Sequence, residues 1–204
     1  DGQRDFPSRG VAEVSGTVLA DVLEFTGYFP TNTAAPYPEF ARLTLNAGGV
    51  VEAGQLQKND CAASTVLFNG GTLRARQTTS DFVLGRGVMD WVIADGASAV
   101  IDTNGKNVTI NPQPAPHDAV LTLRGETNAL AAGNGGLVKT GAGALVLRLP
   151  AACNTFTGAV SVLQGTLDMG RPLAELQAVT VSAGASFVVR APSGQVVAYP
   201  ISQT

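Results

Sequence analysis

The sequence predicts an all-β protein: a right-handed parallel β-helix (β-solenoid) built from stacked coils of about 20–25 residues. Two observations predict this fold. Short apolar runs alternate with small or polar residues at a period of 2, which is typical of strands with one buried face. Glycine-containing corners separate these runs at a nearly regular interval. Because one such unit cannot bury its own apolar face, several units must stack to form a continuous core.

Six corner glycines set the period, at successive intervals of 22, 26, 47, 22 and 19 residues. The interval of 47 is about two periods, and Gly125 lies near its middle. Tight corners need positive φ, which glycine adopts at little cost. We therefore expect each corner glycine to turn the chain between two strands. The six residues are Gly48, Gly70, Gly96, Gly143, Gly165 and Gly184.

Two apolar runs, residues 144–149 and 159–163, show the repeating unit most clearly. In the first run, the period of 2 predicts that Leu145 and Leu147 point into the core. Arg148 then points outward, because an unpaired guanidinium would be costly to bury. Comparable units occupy residues 42–53, 65–75, 91–110, 143–150, 160–169 and 179–189.

The first part of the chain is less regular. Residues 1–10 are polar and predict an arm, whereas alternating residues in 11–29 predict a first pair of strands. Residues 30–40 contain three prolines and predict a loop. We therefore divide the chain into residues 1–40, an N-terminal arm and cap with a Pro-rich loop, and residues 41–204, the solenoid repeats.

The densest aromatic cluster of the sequence lies in and beside the Pro-rich loop. Two interpretations remain open: a cap over the exposed end of the first coil, which solenoids need for solubility, or a surface that binds a partner. The cluster consists of Tyr28, Phe29, Tyr37 and Phe40.

The central repeat carries a resemblance to a known family. GGLVKTGAGALVL followed by NTFTGAVSVLQGTL resembles the autotransporter-associated β-strand repeat of bacterial passenger proteins. The resemblance extends over about residues 64–190, and it implies a secreted or surface β-helix without catalytic residues. The matching positions are Gly135, Gly136, Leu137, Lys139, Gly141, Gly143, Leu145, Asn154, Phe156, Gly158, Gly165, Thr166 and Leu167.

The composition excludes several classes of function. Charged residues make up only 14% of the 204 residues, against about 25% in an average domain, so long strand faces must be buried. The net charge of −3 is spread without a basic stripe, which argues against nucleic acid as a partner. No apolar run approaches the roughly 20 residues of a membrane-spanning helix. The first residue is Asp1 and no signal peptide is visible, as expected of a processed or excised segment.

The two cysteines, Cys61 and Cys153, could in principle form a disulfide in an oxidising compartment. In a solenoid they are about four coils apart, which corresponds to roughly 19 Å because stacked strands are about 4.8 Å apart. A disulfide needs Cα atoms within about 7 Å. We therefore expect two buried thiols, with an intermolecular bridge as the alternative.

No catalytic, cofactor-binding or metal-binding residue is predicted. His117 and Asp118 lie together in a proline-rich loop without a recognisable nucleophile, which is typical of a solvated turn. One histidine and two distant cysteines do not form a metal site. Trp91, the only tryptophan, lies in an apolar alternation and is expected in the core rather than in a sugar-binding groove.

Carboxylates need separate attention because glycoside hydrolases work with acidic pairs. Asp81, Asp90, Asp95 and Asp102 recur at intervals of 9, 5 and 7 residues. Asp95 and Asp102 stand at corners, where Asx side chains stabilise turns. We therefore interpret these residues as turn formers rather than as a catalytic cluster.

These observations favour a non-catalytic extracellular protein, either assembled into a fibre or displayed on the cell surface. The expected partner is a second copy, joined end to end into a homopolymer, or the cell surface itself. The alternative to end-to-end assembly is that residues 1–204 are one slice of a longer passenger, whose next coil is covalently attached. The alternative is a carbohydrate-active or glycan-binding β-helix, namely a polysaccharide lyase, a hydrolase or an adhesin. The fold alone cannot decide between these functions.

Overall fold

The computed structural model describes residues 9–26, 40–59, 63–85, 87–110, 119–125, 135–148, 156–170, 176–190 and 201–204. These residues form eighteen β-strands and no helix, so the all-β prediction is confirmed. Within the same residues, no helix is long and apolar enough to cross a membrane.

The strands form three sheets, and all their pairings are parallel. Sheet A contains β1 (Arg9–Val14), β3 (Phe40–Asn46), β5 (Ala63–Asn69), β8 (Gly87–Ile93) and β11 (Ala119–Gly125). Sheet B contains β2 (Thr17–Thr26), β4 (Val50–Asn59), β6 (Thr72–Ala75), β9 (Ser98–Asp102), β12 (Gly136–Thr140), β14 (Val160–Val162), β16 (Val179–Val181) and β18 (Ile201–Gln203), with β7 (Val83–Gly85) beside β4. Sheet C contains β10 (Val108–Ile110), β13 (Ala144–Leu147), β15 (Thr166–Asp168) and β17 (Ser186–Val188).

Sheet B has the longest continuous ladder of paired residues. Neighbouring members of one column are separated by 19 to 38 residues of sequence, a wider range than the predicted period. Each pass of the chain nevertheless returns to the same register, an arrangement compatible with a parallel β-helix. The column runs through Thr17, Val50, Thr72, Val100, Val138, Ser161, Thr180 and Ser202.

The core lies on the inner faces of the three sheets, where alternate residues of each strand are buried. In sheet A, the rings of Phe68 and Trp91 meet edge to face, with their centroids 5.5 Å apart. Trp91 is 2% exposed. The prediction that this tryptophan belongs to the core is confirmed.

Five of the six predicted corner glycines adopt positive φ, and Gly143 does not. At that corner Gly141 turns the chain instead, with a φ of 80°. Gly143 meets a different requirement, because a Cβ added there would lie 1.7 Å from the carbonyl oxygen of Lys106. The assignment of the corner to Gly143 was therefore wrong: this glycine allows two backbone segments to approach closely.

The predicted phase of the strand at 144–149 is confirmed, although β13 is shorter and ends at Leu147. Leu145 and Leu147 are fully buried, whereas Arg148 is exposed. The run predicted at 159–163 corresponds to β14, which is also shorter.

The first two strands lie inside the segment predicted as an arm and cap. β1 pairs with β3, and β2 pairs with β4, so the paired strands begin at Arg9. The prediction of a first strand pair within residues 11–29 is confirmed. The division of the chain at residue 40 and the capping role stay predictions.

Several predictions concern residues whose surroundings lie outside the described part of the chain. Phe40 begins β3, but its side chain is not described. The cap, the state of the cysteines and the histidine turn therefore stay predictions. The residues wholly outside are Tyr28, Phe29, Tyr37, Cys61, His117, Asp118 and Cys153.

Candidate functional site

Of the aspartates considered for catalysis, Asp90 lies inside strand β8, between Thr65 and Thr122 of the neighbouring strands, so the turn interpretation is wrong for this residue. Among the described residues, no group of three or more His, Cys, Asp and Glu side chains could hold a metal ion. Asp102 instead accepts a hydrogen bond from the backbone N–H of Asn104 at 2.8 Å, which is an Asx turn. The turn interpretation of Asp102 is confirmed. Asp95 precedes Gly96, whose φ is 72°, at another tight corner.

The charged side chains on the outer face of sheet B pair across neighbouring strands. Arg74 of β6 contacts Asp102 of β9 at 2.8 Å and lies 3.8 Å from Glu52 of β4. Arg76 contacts Asp21 of β2 at 2.9 Å. Pairs as exposed as these contribute about 0–1 kcal/mol each. Arg74 links three successive strands, whereas Arg76 and Asp21 meet across β4.

Lys139 is a buried charge that sequence reasoning did not single out. It occupies an inward position of sheet B, between Ile101 on one neighbouring strand and Val162 on the other. Its side chain has no exposed surface. The ammonium donates hydrogen bonds to the carbonyls of Thr140 at 2.8 Å, Gly141 at 2.7 Å and Gln164 at 3.0 Å.

The three carbonyls explain how a lysine is accommodated here. A lysine ammonium has three N–H donors, and each of them has an acceptor. Because Gln164 belongs to the following pass of the chain, Lys139 ties a corner of one pass to a corner of the next. Burial lowers the pKa of Lys139 to about 8, and the negative charge of Asp102 opposes this decrease.

The period of 2 contained the signal for this residue. Leu137 points inward, so Lys139, two residues later in β12, must point inward as well. The resemblance to the passenger repeat also included Lys139, without a role for it. The acceptors could not be deduced from the strand itself, because Gln164 comes near only in the folded register.

At the N-terminal end of sheet B, apolar side chains are exposed on the outermost strand. Among the described strands, β2 pairs only with β4, so its other edge is open. Val18, Leu19 and Val22 of this strand are 38%, 61% and 48% exposed. Apolar residues on an open strand edge are typical of a surface at which another strand can add.

A cleft opens between β1, β3 and the second half of β2. It has a volume of about 240 Å³ and joins apolar side chains with one acidic and one basic side chain. The cleft shows that the core is not closed over at this end by the described residues. Its lining includes Ala12, Leu23, Glu24, Phe25, Arg42 and Leu43.

The opposite end of sheet B is also an exposed strand. Among the described strands, β18 pairs only with β16. The apolar side chain of Ile201 occupies the register position next to Val179, which is fully buried, yet Ile201 is 60% exposed. The difference arises because no described strand lies beyond β18. Within the described part of the chain, both ends of sheet B therefore present an open edge with apolar side chains, and these two edges form the candidate functional site.

Comparison of the chain with protein-family models, with curated proteins and with solved structures finds no match. The resemblance to the passenger repeat therefore stays a prediction.

Proposed function

We propose that this chain is a right-handed parallel β-helix with a non-catalytic structural role, and that it assembles end to end through the two edges of sheet B. The observation that supports the proposal is the pair of open edges. β2 exposes Val18, although its register neighbour Val51 is fully buried, and β18 exposes Ile201, at opposite ends of one parallel ladder. An open edge offers unpaired N–H and C=O groups together with apolar surface.

The polarity of the sheet favours a head-to-tail contact. All strands of sheet B run in the same direction, so an additional parallel strand at either end continues the same pattern. Contact between two different ends is heterologous, and it propagates into a fibre unless the rotation between copies closes a ring. Two like ends meeting would instead require antiparallel pairing, which occurs nowhere among the strand pairs of this sheet.

We also propose an extracellular or cell-surface location. This part of the proposal rests on the resemblance of the repeat around residues 135–167 to secreted passenger proteins and on the low charge of the chain. In a surface fibre, the long outer surface of the stacked coils is itself the functional part of the protein.

Assembly is expected to depend on concentration. Sedimentation velocity and negative-stain electron microscopy of the purified chain should show monomers at low concentration and growing linear particles at high concentration. The physical reason is the exposed apolar surface on both edges, which becomes buried at each contact. A chain that remains monomeric at high protein concentration would contradict end-to-end assembly.

If the role of the chain is structural, we expect that none of its carboxylates catalyses a reaction. Incubation of the chain with acidic and neutral polysaccharides should produce no new reducing ends and no unsaturated products. Asp102→Asn should leave this result unchanged, because Asp102 already pairs with Arg74 and caps a turn. Reproducible turnover that disappears in Asp102→Asn would favour a carbohydrate-active enzyme instead.

A further inference from the structure

The backbone groups on the two open edges can be assigned from the ladder. The N–H of Val50 donates to the carbonyl of Gly16 at 2.8 Å. Because alternate residues of a parallel strand face the same neighbour, Gly16 and Val18 face β4. Thr17 and Leu19 therefore direct their N–H and C=O groups to the open side of β2.

The same reasoning applies to the C-terminal edge. The N–H of Thr204 donates to the carbonyl of Val181 at 3.2 Å, and its carbonyl accepts the N–H of Ala183 at 2.8 Å. Thr204 thus faces β16, and Ile201 and Gln203 direct their backbone groups to the open side of β18. The first three residues of β2 and the three residues of β18 therefore each offer two residues with outward backbone donors and acceptors.

We propose that β18 of one copy pairs in parallel with β2 of the next copy, with Ser202 beside Thr17. This inference rests on the proposed end-to-end assembly and specifies its joint. In this register the existing column simply continues from Ser202 into Thr17 of the next copy. The N–H of Leu19 then donates to the carbonyl of Gln203, and the N–H of Gln203 donates to the carbonyl of Thr17.

The side chains are compatible with this register. Ile201 comes beside Gly16, and the position of a Cβ on Gly16 has no heavy atom within 4 Å, so the isoleucine has room. Gln203 comes beside Val18, and both occupy inward positions of their columns. A shift by one residue would exchange the inner and outer faces of the added strand.

The side-chain charges near the joint also include no like-charged pair across it, and Asp21 is already paired with Arg76. The charged residues of β2 are the exposed carboxylates Asp21 and Glu24. Residues 176–190 and 201–204 contain no acidic side chain, and their single charged side chain, the guanidinium of Arg190, pairs with Asp168 at 2.8 Å. The joint therefore brings no like charges together, which would be unfavourable on neighbouring strands.

Two proline variants test the joint, each blocking one end. Leu19→Pro removes an N–H that faces the open side of β2, and Gln203→Pro does the same on β18. Proline is tolerated on an edge strand when its missing N–H faces solvent, so both monomers should fold. Leu19→Ala, which keeps the N–H, is the matched control. Thr17→Pro replaces Leu19→Pro if thermal melts show that the latter does not fold.

We expect each blocked variant alone to remain monomeric in analytical ultracentrifugation, while Leu19→Ala still assembles. A mixture of Leu19→Pro and Gln203→Pro should form a 1:1 dimer and grow no further, because each partner keeps one intact end. If both blocked variants still form fibres, this joint is wrong and the proposed assembly stands on another contact. A mixture that stays monomeric also overturns the joint. If the unmodified chain never assembles, the proposed assembly and its joint fail together.

Discussion

Replacing Lys139 by methionine is expected to lower the free energy of unfolding by about 2–4 kcal/mol, although methionine has a similar length and suits an apolar column. The variant leaves three backbone carbonyls without the ammonium. The carbonyl of Thr140 keeps the N–H of Thr103, at 3.0 Å, as a donor. The carbonyls of half-buried Gly141 and exposed Gln164 lose a short contact, at up to about 1–3 kcal/mol for each acceptor that water does not reach. Relief from burying a charge offsets part of this loss.

Ile101→Met is the matched control for this experiment. Ile101 is the register neighbour of Lys139 in sheet B and is also buried. A substitution that conserves volume in a core costs less than about 1.5 kcal/mol. Denaturant melts of both variants measure the difference. If the two variants lose the same stability, the carbonyl contacts of Lys139 contribute nothing beyond packing.

Replacing Leu147 by alanine is expected to lower the free energy of unfolding by about 2–5 kcal/mol, because the change leaves a cavity in the core. Leu147 is 1% exposed and pairs with Ile110, which is equally buried. The backbone on both sides is held by the ladder of sheet C, so the site can collapse only partly around the missing methyl groups. Urea melts monitored by circular dichroism measure the loss.

Val146→Ala provides the control on the same strand. Val146 lies between the two buried leucines and points to the outer face, where it is half-buried. Its truncation should cost clearly less than that of Leu147. A loss below about 0.5 kcal/mol for Leu147→Ala, the usual range of surface substitutions, would place this leucine outside the core.

Local periodicity was sufficient to predict that the repeat units form strands and which face of the strand at residues 144–149 is buried. The alternation around Leu145 and Leu147 gave the correct phase because Arg148 can reach solvent only from the outer side. Five corner glycines were also predictable, since a tight turn needs positive φ wherever it occurs. Strand alternation and tight turns depend on a few consecutive residues, so they can be predicted from the sequence of a short segment.

Contacts between successive passes of the chain could not be predicted in this way. Gly143 was assigned to the corner. A side chain is excluded at this position because the backbone of Lys106, which is distant in sequence, lies too close. The acceptor that Gln164 provides for Lys139 has the same origin. For the candidate site, the sequence predicted the unit at residues 179–189, whereas the pairing of β18 with β16 appears only in the folded register. The aromatic cap over the first coil stays a prediction.

The buried lysine also bears on how a repetitive chain avoids misfolding. Inward positions of sheet B are otherwise similar from strand to strand, with Val51, Leu73, Ile101 and Val162 in one column. Such a column could pair one strand too early or too late at little cost in apolar burial. Lys139 removes this degeneracy, because its ammonium meets the carbonyls of its own corner and the next only when no strand is skipped. A polar residue at one inward position thereby marks the place of its own pass in the stack, much as a single buried asparagine fixes the alignment of a coiled coil.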